Sequence, residues 1–304
     1  MKYKGEWNLT ESFIDKFNVS RPKALVLLVL TAVLWSIGGL LIKLVNWNPL
    51  AIAGMRSAIS ALIMLAIIRR PVFNFSFAQI AGTISYTATV IMFVSSNKLT
   101  TAANAILLQY TAPIYVAFLG AWFLKERVRP SDWATIVMVL GGMVLFFFDD
   151  LEAGSLTGNI LAVLSGLSFA ITILCLRSQK ASSPLQTVFW GNVLTALIGF
   201  PFMLNSVPDA SSWLGLVLLG VFQLGLSYIF YTIAIKKVSA LEATLIPVIE
   251  PLLNPVFVLI VMGEVPGPWS LAGGAIVLIS ITLRCVFSVL KPHQTAVPET
   301  KETC

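Results

Sequence analysis

Glu250 is the residue around which chemistry could be organised. It stands in IPVIEPLLNPVF, Ile246 to Phe257, an apolar stretch interrupted by one carboxylate, by Asn254 and by Pro247, Pro251 and Pro255 at every fourth position. In a helix each proline removes the donor for the carbonyl four residues earlier. The carbonyls of Ala243, Pro247 and Pro251 are therefore freed along one stripe, with Glu250 and Asn254 flanking it. Such a stripe is too costly to face lipid and must face protein or a wet cavity. A carboxylate there has two readings: it binds a substrate ammonium or exchanges a proton, or it is protonated or paired and pins the broken helix to a neighbour.

A second stripe matches the first. Pro113 frees the carbonyl of Gln109, next to Tyr110, and the stripe continues through Val116 to Gly120. Arg56 is the one basic residue well inside an apolar run. It reads either as a partner for a substrate carboxylate or as a charge that snorkels or staples helices. Trp35, Tyr86, Tyr110, Trp190, Tyr228 and Tyr231 lie within apolar runs, where they line a cavity or simply pack. Glu242, nearer the start of its run, reads as a boundary or gate charge. Ser165, Ser168 and Thr172 share a helix face and read as contacts between helices.

Other chemistry finds no support. The single histidine, His293, lies in a polar tail, and Cys175, Cys285 and Cys304 have no paired spacing, so neither a metal site nor a disulfide is expected. No cofactor is expected either. The glycine pairs 38–39, 141–142 and 273–274 read as close-packing points, since no phosphate-binding fingerprint or Walker sequence surrounds them. A membrane-embedded enzyme would need a nucleophile–base pair, a metal triad or paired carboxylates at depth, and one buried glutamate supplies none of these.

The elements that must position these residues are membrane helices. The 304 residues are 57% hydrophobic and 11% charged, with mean hydropathy +0.88. Several uncharged runs reach the roughly 20 residues that cross a bilayer. Breaks at polar, proline or charged clusters predict ten helices near 24–45, 50–69, 76–97, 101–124, 131–148, 156–177, 185–204, 211–236, 239–262 and 268–288. Alternate loops sort the basic residues: Arg69, Arg70, Lys125, Arg127, Arg129, Arg177, Lys180, Lys236 and Lys237 fall on one side. The other side has Lys43 and Lys98 together with Asp149, Asp150, Glu152, Asp209 and Glu264. The first side is predicted cytoplasmic, with both termini inside and a cell-membrane location. The net charge of +6 is thus a topology signal and not a nucleic-acid footprint. The polar opening residues read as a cytosolic tail and not as a removed leader.

One constant offset lays the fourth predicted helix over the ninth. Ala102 meets Ala240, Leu107 meets Leu245, Pro113 meets Pro251, Glu126 meets Glu264 and Pro130 meets Pro268. Each half then holds five helices, an odd number, so the repeat is inverted. Two such halves point to a secondary transporter with its site between them. The expected organisation is a tail over 1–23, repeats over 24–148 and 155–289, and a tail over 290–304.

The segments AVLWSIGGLLIKL (Ala32 to Leu44), followed by Pro49 and Arg56, TTAANAILLQYTAPIYVAFLGAWFLKERV and SALEATLIPVIEPLLNPVFVLIVMGEV resemble the EamA-type members of the drug/metabolite transporter superfamily. The resemblance covers about residues 24 to 288. It implies an all-α fold of ten helices as two inverted halves around a central cavity, with helices five and ten at the periphery. It also implies export of small metabolites, often amino acids. The expected partners are a small-molecule substrate, the lipid bilayer and a proton exchanged at Glu250, for a monomer or homodimer. A lipid or lysolipid translocator and an importer of the same fold remain as alternatives.

Overall fold

The computed structural model describes residues 19–126, 128–148, 155–253 and 267–290, the side chains of Ala103, Cys285 and 287–290 excepted. Asn254, Pro255 and Glu264 lie outside the described residues, as do Asp149, Asp150, Glu152 and His293. Among those described the chain is helical throughout.

Short polar caps and prolines set the helix starts. α3 (Pro49–Ile68) begins where the Asn48 side chain accepts the Leu50 N–H and Pro49 fills the first turn. α4 (Phe77–Leu99) starts at Ser76, α5 (Ala102–Gln109) at Thr101, α8 (Leu156–Ser178) at Ser155 and α10 (Ala210–Leu218) at Asp209. Each of these caps accepts a backbone N–H two to three residues inside the helix. α9 (Pro184–Leu204) and α7 (Pro130–Phe146) open on prolines. Among the described residues seven helical runs are long and apolar enough to cross a membrane: Arg21–Leu44, Pro49–Ile68, Phe77–Leu99, Asn104–Phe123, Leu156–Ser178, Pro184–Leu204 and Ala210–Ala234. Two shorter apolar helices, Pro130–Phe146 and Pro268–Arg284, accompany them.

Four predicted helices are not continuous. The first divides into α1 (Arg21–Trp35) and α2 (Gly38–Leu44). The fourth divides into α5 and α6 (Ala112–Phe123), because Pro113 cannot donate to Gln109. The eighth runs from α10 through a π-helical stretch, Leu219–Leu226, into α11 (Ser227–Ala234). The ninth starts as α12 (Ala240–Leu245), tightens to a 3₁₀ turn at Ile246–Val248 around Pro247, and is helical again at residues 249–253.

Packing is reciprocal. α4 lies against α8, α1 against α11, α3 against α9, and α6 against α12; α3 also meets the π-helical stretch, as α9 meets α4. α13 (Pro268–Leu290) and α7 pack chiefly against each other, beside the rest. Bare backbone makes two of these contacts. A Cβ on Gly199 would stand 2.6 Å from the Gly54 Cα and from the Leu50 carbonyl oxygen, and a Cβ on Gly142 would stand 3.1 Å from the Gly273 oxygen. Gly141, expected to be a packing point, faces open space instead. The outward faces stay apolar, with Trp122, Leu62, Val137 and Leu197 largely exposed, as lipid-facing helices require.

Candidate functional site

The freed carbonyls of the broken ninth segment are met by tyrosines. The Tyr231 hydroxyl donates to the Ala243 carbonyl at 3.1 Å. The Tyr110 hydroxyl lies 2.8 Å from the Pro247 carbonyl oxygen and 2.6 Å from Glu250 Oε2. Tyr110 sits in the break between α5 and α6, so the two proline-broken segments touch at their breaks. The carbonyl freed by Pro113, that of Gln109, faces Gly166 of α8, where a Cβ would stand 2.6 Å from it. Pro251 packs as a buried residue beside Glu250.

A cavity of about 40 Å³ adjoins this contact, room for a few waters. It is lined by Trp35, Arg56, Thr89, Val90, Phe93, Gln109 and Tyr110 from the first half of the chain, and by Phe169, Gln223, Leu224, Tyr228 and Glu250 from the second. Six of the eight residues expected at the site therefore meet at one cavity. Tyr86 does not line it but stands behind, edge-on to Tyr228 with centroids 5.0 Å apart and its hydroxyl bonded to Asn192 at 3.2 Å. Asn254, the eighth, lies outside the described residues.

Arg56 corrects one expectation. Depth alone allowed it to snorkel, yet it is 1% exposed and turned into the protein, where Nη1 donates to Gln223 Oε1 at 3.0 Å. Its Nε is buried without a partner among the described residues. Glu250, also buried, lines the same cavity, and no ion pair joins it to Arg56. Trp35 forms the aromatic wall with Tyr228 and Phe169, at centroid distances of 5.2 and 5.7 Å, and its indole N–H donates to Ser227 Oγ at 3.0 Å. Gln109 donates to Ser165, and Ser165 to the Thr89 carbonyl, which fixes this wall to α4 and α8.

Gln223 and Thr89 were missed in the sequence. The signal for Gln223 was present: it is the one polar side chain in LGVFQLGL, Leu219 to Leu226. Nothing in the sequence pairs it with Arg56, because that meeting depends on the π-helical stretch.

Below the cavity, charged groups bind the halves at one end. Arg21 pairs with Glu242 at 2.6 Å, Arg177 with Glu126 at 3.0 Å, and Arg284 with Asp132 at 3.0 Å, each pair joining the first half to the second. Glu126 also accepts the Ala240 N–H at the start of α12, and Arg177 donates to the carbonyls of Ile235 and Lys236. Glu242, expected as a boundary charge, completes a capping box with Ser239. At the opposite end Lys43 donates to the Thr100 carbonyl and Asn46 to Ser212.

Residues 22–148 and 156–284 each match the EamA-like transporter family. The chain is 27% identical over 257 residues to a protein of Archaeoglobus fulgidus described as an uncharacterized transporter, covering 84% of this chain and 94% of that one. It is 29% identical over 186 residues to the pseudopaline exporter CntI of Pseudomonas aeruginosa, across 59% of this chain and 64% of that protein. Human solute carrier family 35 member G1 is 23% identical over 278 residues, across 83% and 76%. A crystal structure superposes with a TM-score of 0.75 at 19% identity, covering 88% of this chain and 99% of that one, a likeness of fold alone. With both halves matched, seven apolar spans and transporters as relatives, the chain is a multi-pass membrane protein that belongs to the EamA-like transporter family.

Proposed function

We propose that the chain is a secondary transporter that exports small metabolites, amino acids or related amphipathic solutes, across the cell membrane. Two five-helix halves, 24–148 and 155–289, alternate access to the cavity between them. Their inverted relation is supported by the reciprocal packing, α1 on α11 as α8 on α4, and by the self-contacts of α3 with α9 and α7 with α13. The alternation of helices is supported by which ends meet. The starts of α1, α7 and α12 and the ends of α6, α8, α11 and α13 gather in the ion-paired network, on the side rich in arginine and lysine. By the positive-inside rule that side is cytoplasmic, with both termini.

The observation that carries the proposal is a cavity lined from both halves by Arg56 and Glu250, which form no ion pair with each other or with any other described residue. A buried carboxylic acid poised on a tyrosine also suits proton exchange. The Tyr110 hydroxyl has one hydrogen for two acceptors. Both contacts are filled when Glu250 carries a proton and donates to Tyr110 while Tyr110 donates to Pro247. Deprotonation hands the Tyr110 hydrogen to Glu250 and strands the Pro247 carbonyl, which couples the proton to the helix break. The test is solute flux in proteoliposomes across pH. Wild type is expected to depend on pH, and Glu250→Gln to lose that dependence. Identical pH profiles would remove Glu250 from coupling.

A further inference from the structure

Among the described residues the cavity's cation, Arg56, has no ion-pair partner. Arg56 is fully enclosed, and its one side-chain partner among the described residues is a neutral amide, through Nη1. The nearest acid lining the cavity, Glu250, is bonded to Tyr110 instead. Leaving a guanidinium desolvated without a counter-charge is strongly destabilising. Three departures from regular packing nevertheless hold it there. The π-helical stretch Leu219–Leu226 presents Gln223 to α3, and a π turn inside a helix commonly marks a functional position. Gly220 allows that approach, because a Cβ there would lie 3.0 Å from the Arg56 carbonyl oxygen. Gly38, at the α1–α2 break, makes room for the Gln223 amide, 2.9 Å from where a Cβ would stand. Ser227 then fixes the Gln223 backbone by donating to its carbonyl, and Trp35 fixes Ser227.

With Nη1 committed to Gln223 and Nε buried without a partner among the described residues, the Nε–Nη2 edge is the one that a ligand entering the cavity would have to reach. Two parallel N–H groups on that edge match the two oxygens of a carboxylate. We propose that Arg56, positioned by Gln223, Gly38 and the π-helical stretch, is the receptor for a carboxylate on the transported solute. The inference rests on the cavity being the transport site. It makes the solute a carboxylic acid, with Glu250 and Tyr110 left to meet a cationic or hydrogen-bonding group elsewhere on the same molecule.

The purified full-length protein is screened by thermal shift and titration against the twenty L-amino acids, lactate and malate, each beside its carboxamide. At least one acid is expected to bind about tenfold to a hundredfold more tightly than its amide, the range for a charge-assisted pair. Arg56→Gln is expected to erase that preference. Because Arg56→Gln removes a buried charge and its fold must be checked, Gly38→Ala and Gln223→Leu carry the test independently. Both keep the arginine and are expected to weaken acid binding severalfold more than amide binding, so that the preference for the acid shrinks. Equal binding of acids and amides, no binding by any acid, or acid binding undiminished in all three variants overturns the proposal. Flux in proteoliposomes separates the two readings. Amides and acids carried equally would sink the receptor and keep the transporter, whereas Arg56-dependent acid binding without flux would do the reverse.

Discussion

Removing the Tyr110 hydroxyl tests the junction between the two broken segments. Tyr110→Phe deletes one oxygen and keeps the ring, which is 4% exposed. Two groups lose their partner: the Pro247 carbonyl, whose helical donor Pro251 already removed, and Glu250 Oε2. Pro247 is buried and does not line the cavity, so water does not readily replace the hydroxyl there, whereas Glu250 borders the cavity and keeps part of its hydration. Each buried group left unsatisfied costs about 1–3 kcal/mol, which puts the variant at about 2–4 kcal/mol after partial relaxation. Tyr231→Phe is the internal control. It strands one carbonyl, that of Ala243, and is expected to cost about 1–2 kcal/mol.

Equilibrium unfolding in detergent micelles, followed by circular dichroism, compares the two variants with wild type. A double-mutant cycle with Glu250→Gln then isolates the side-chain pair, with a coupling of about 0.5–3 kcal/mol expected for residues in direct contact. If Tyr110→Phe costs no more than Tyr231→Phe and shows no coupling to position 250, the reasoning about the junction is wrong.

Other perturbations follow from the same packing. Gly199→Leu drives a side chain into the Gly54 Cα and the Leu50 carbonyl, so α3 and α9 must part; a loss of at least about 2 kcal/mol is expected in the same unfolding assay. Arg177→Gln breaks its link to Glu126 and weakens its hold on the end of α11. Cross-linking between cysteines placed at 121 and 241 should fall in that variant, and fall further with added salt if paired with Arg21→Gln. Gly141→Ala, with nothing within 4 Å, is expected to leave stability within about 0.5 kcal/mol of wild type, in contrast to Gly142→Ala.

The helix ends were legible because local chemistry fixes them. Asn48-Pro49, Ser76, Thr101, Ser155 and Asp209 mark starts that the structure moves by at most one residue. Pro113 and Pro247 likewise announced that their helices would yield. The break at Ser36–Ile37 carried no proline, and the π-helical stretch at Leu219–Leu226 had no local signature beyond Gln223 and two glycines. The aromatic and acidic side of the cavity could be read from residues that do not belong in lipid. Arg56 could be read as a candidate too, but not its meeting with Gln223, since the two are distant in the chain and meet only through an irregular turn. Gly141 and Gly142 show the limit of pattern: neighbours of one type, of which one touches a partner helix and the other does not.

Solute is expected to cross through the cavity bounded by Trp35, Arg56, Tyr110, Tyr228 and Glu250. Thr89 lines it without belonging to either charged group. In a variant with Cys175, Cys285 and Cys304 replaced by serine, Thr89→Cys is modified with a methanethiosulfonate reagent, and amino-acid flux is measured in proteoliposomes. Modification is expected to stop flux, and a transported solute to slow the modification. Undiminished flux through fully modified protein would contradict this route.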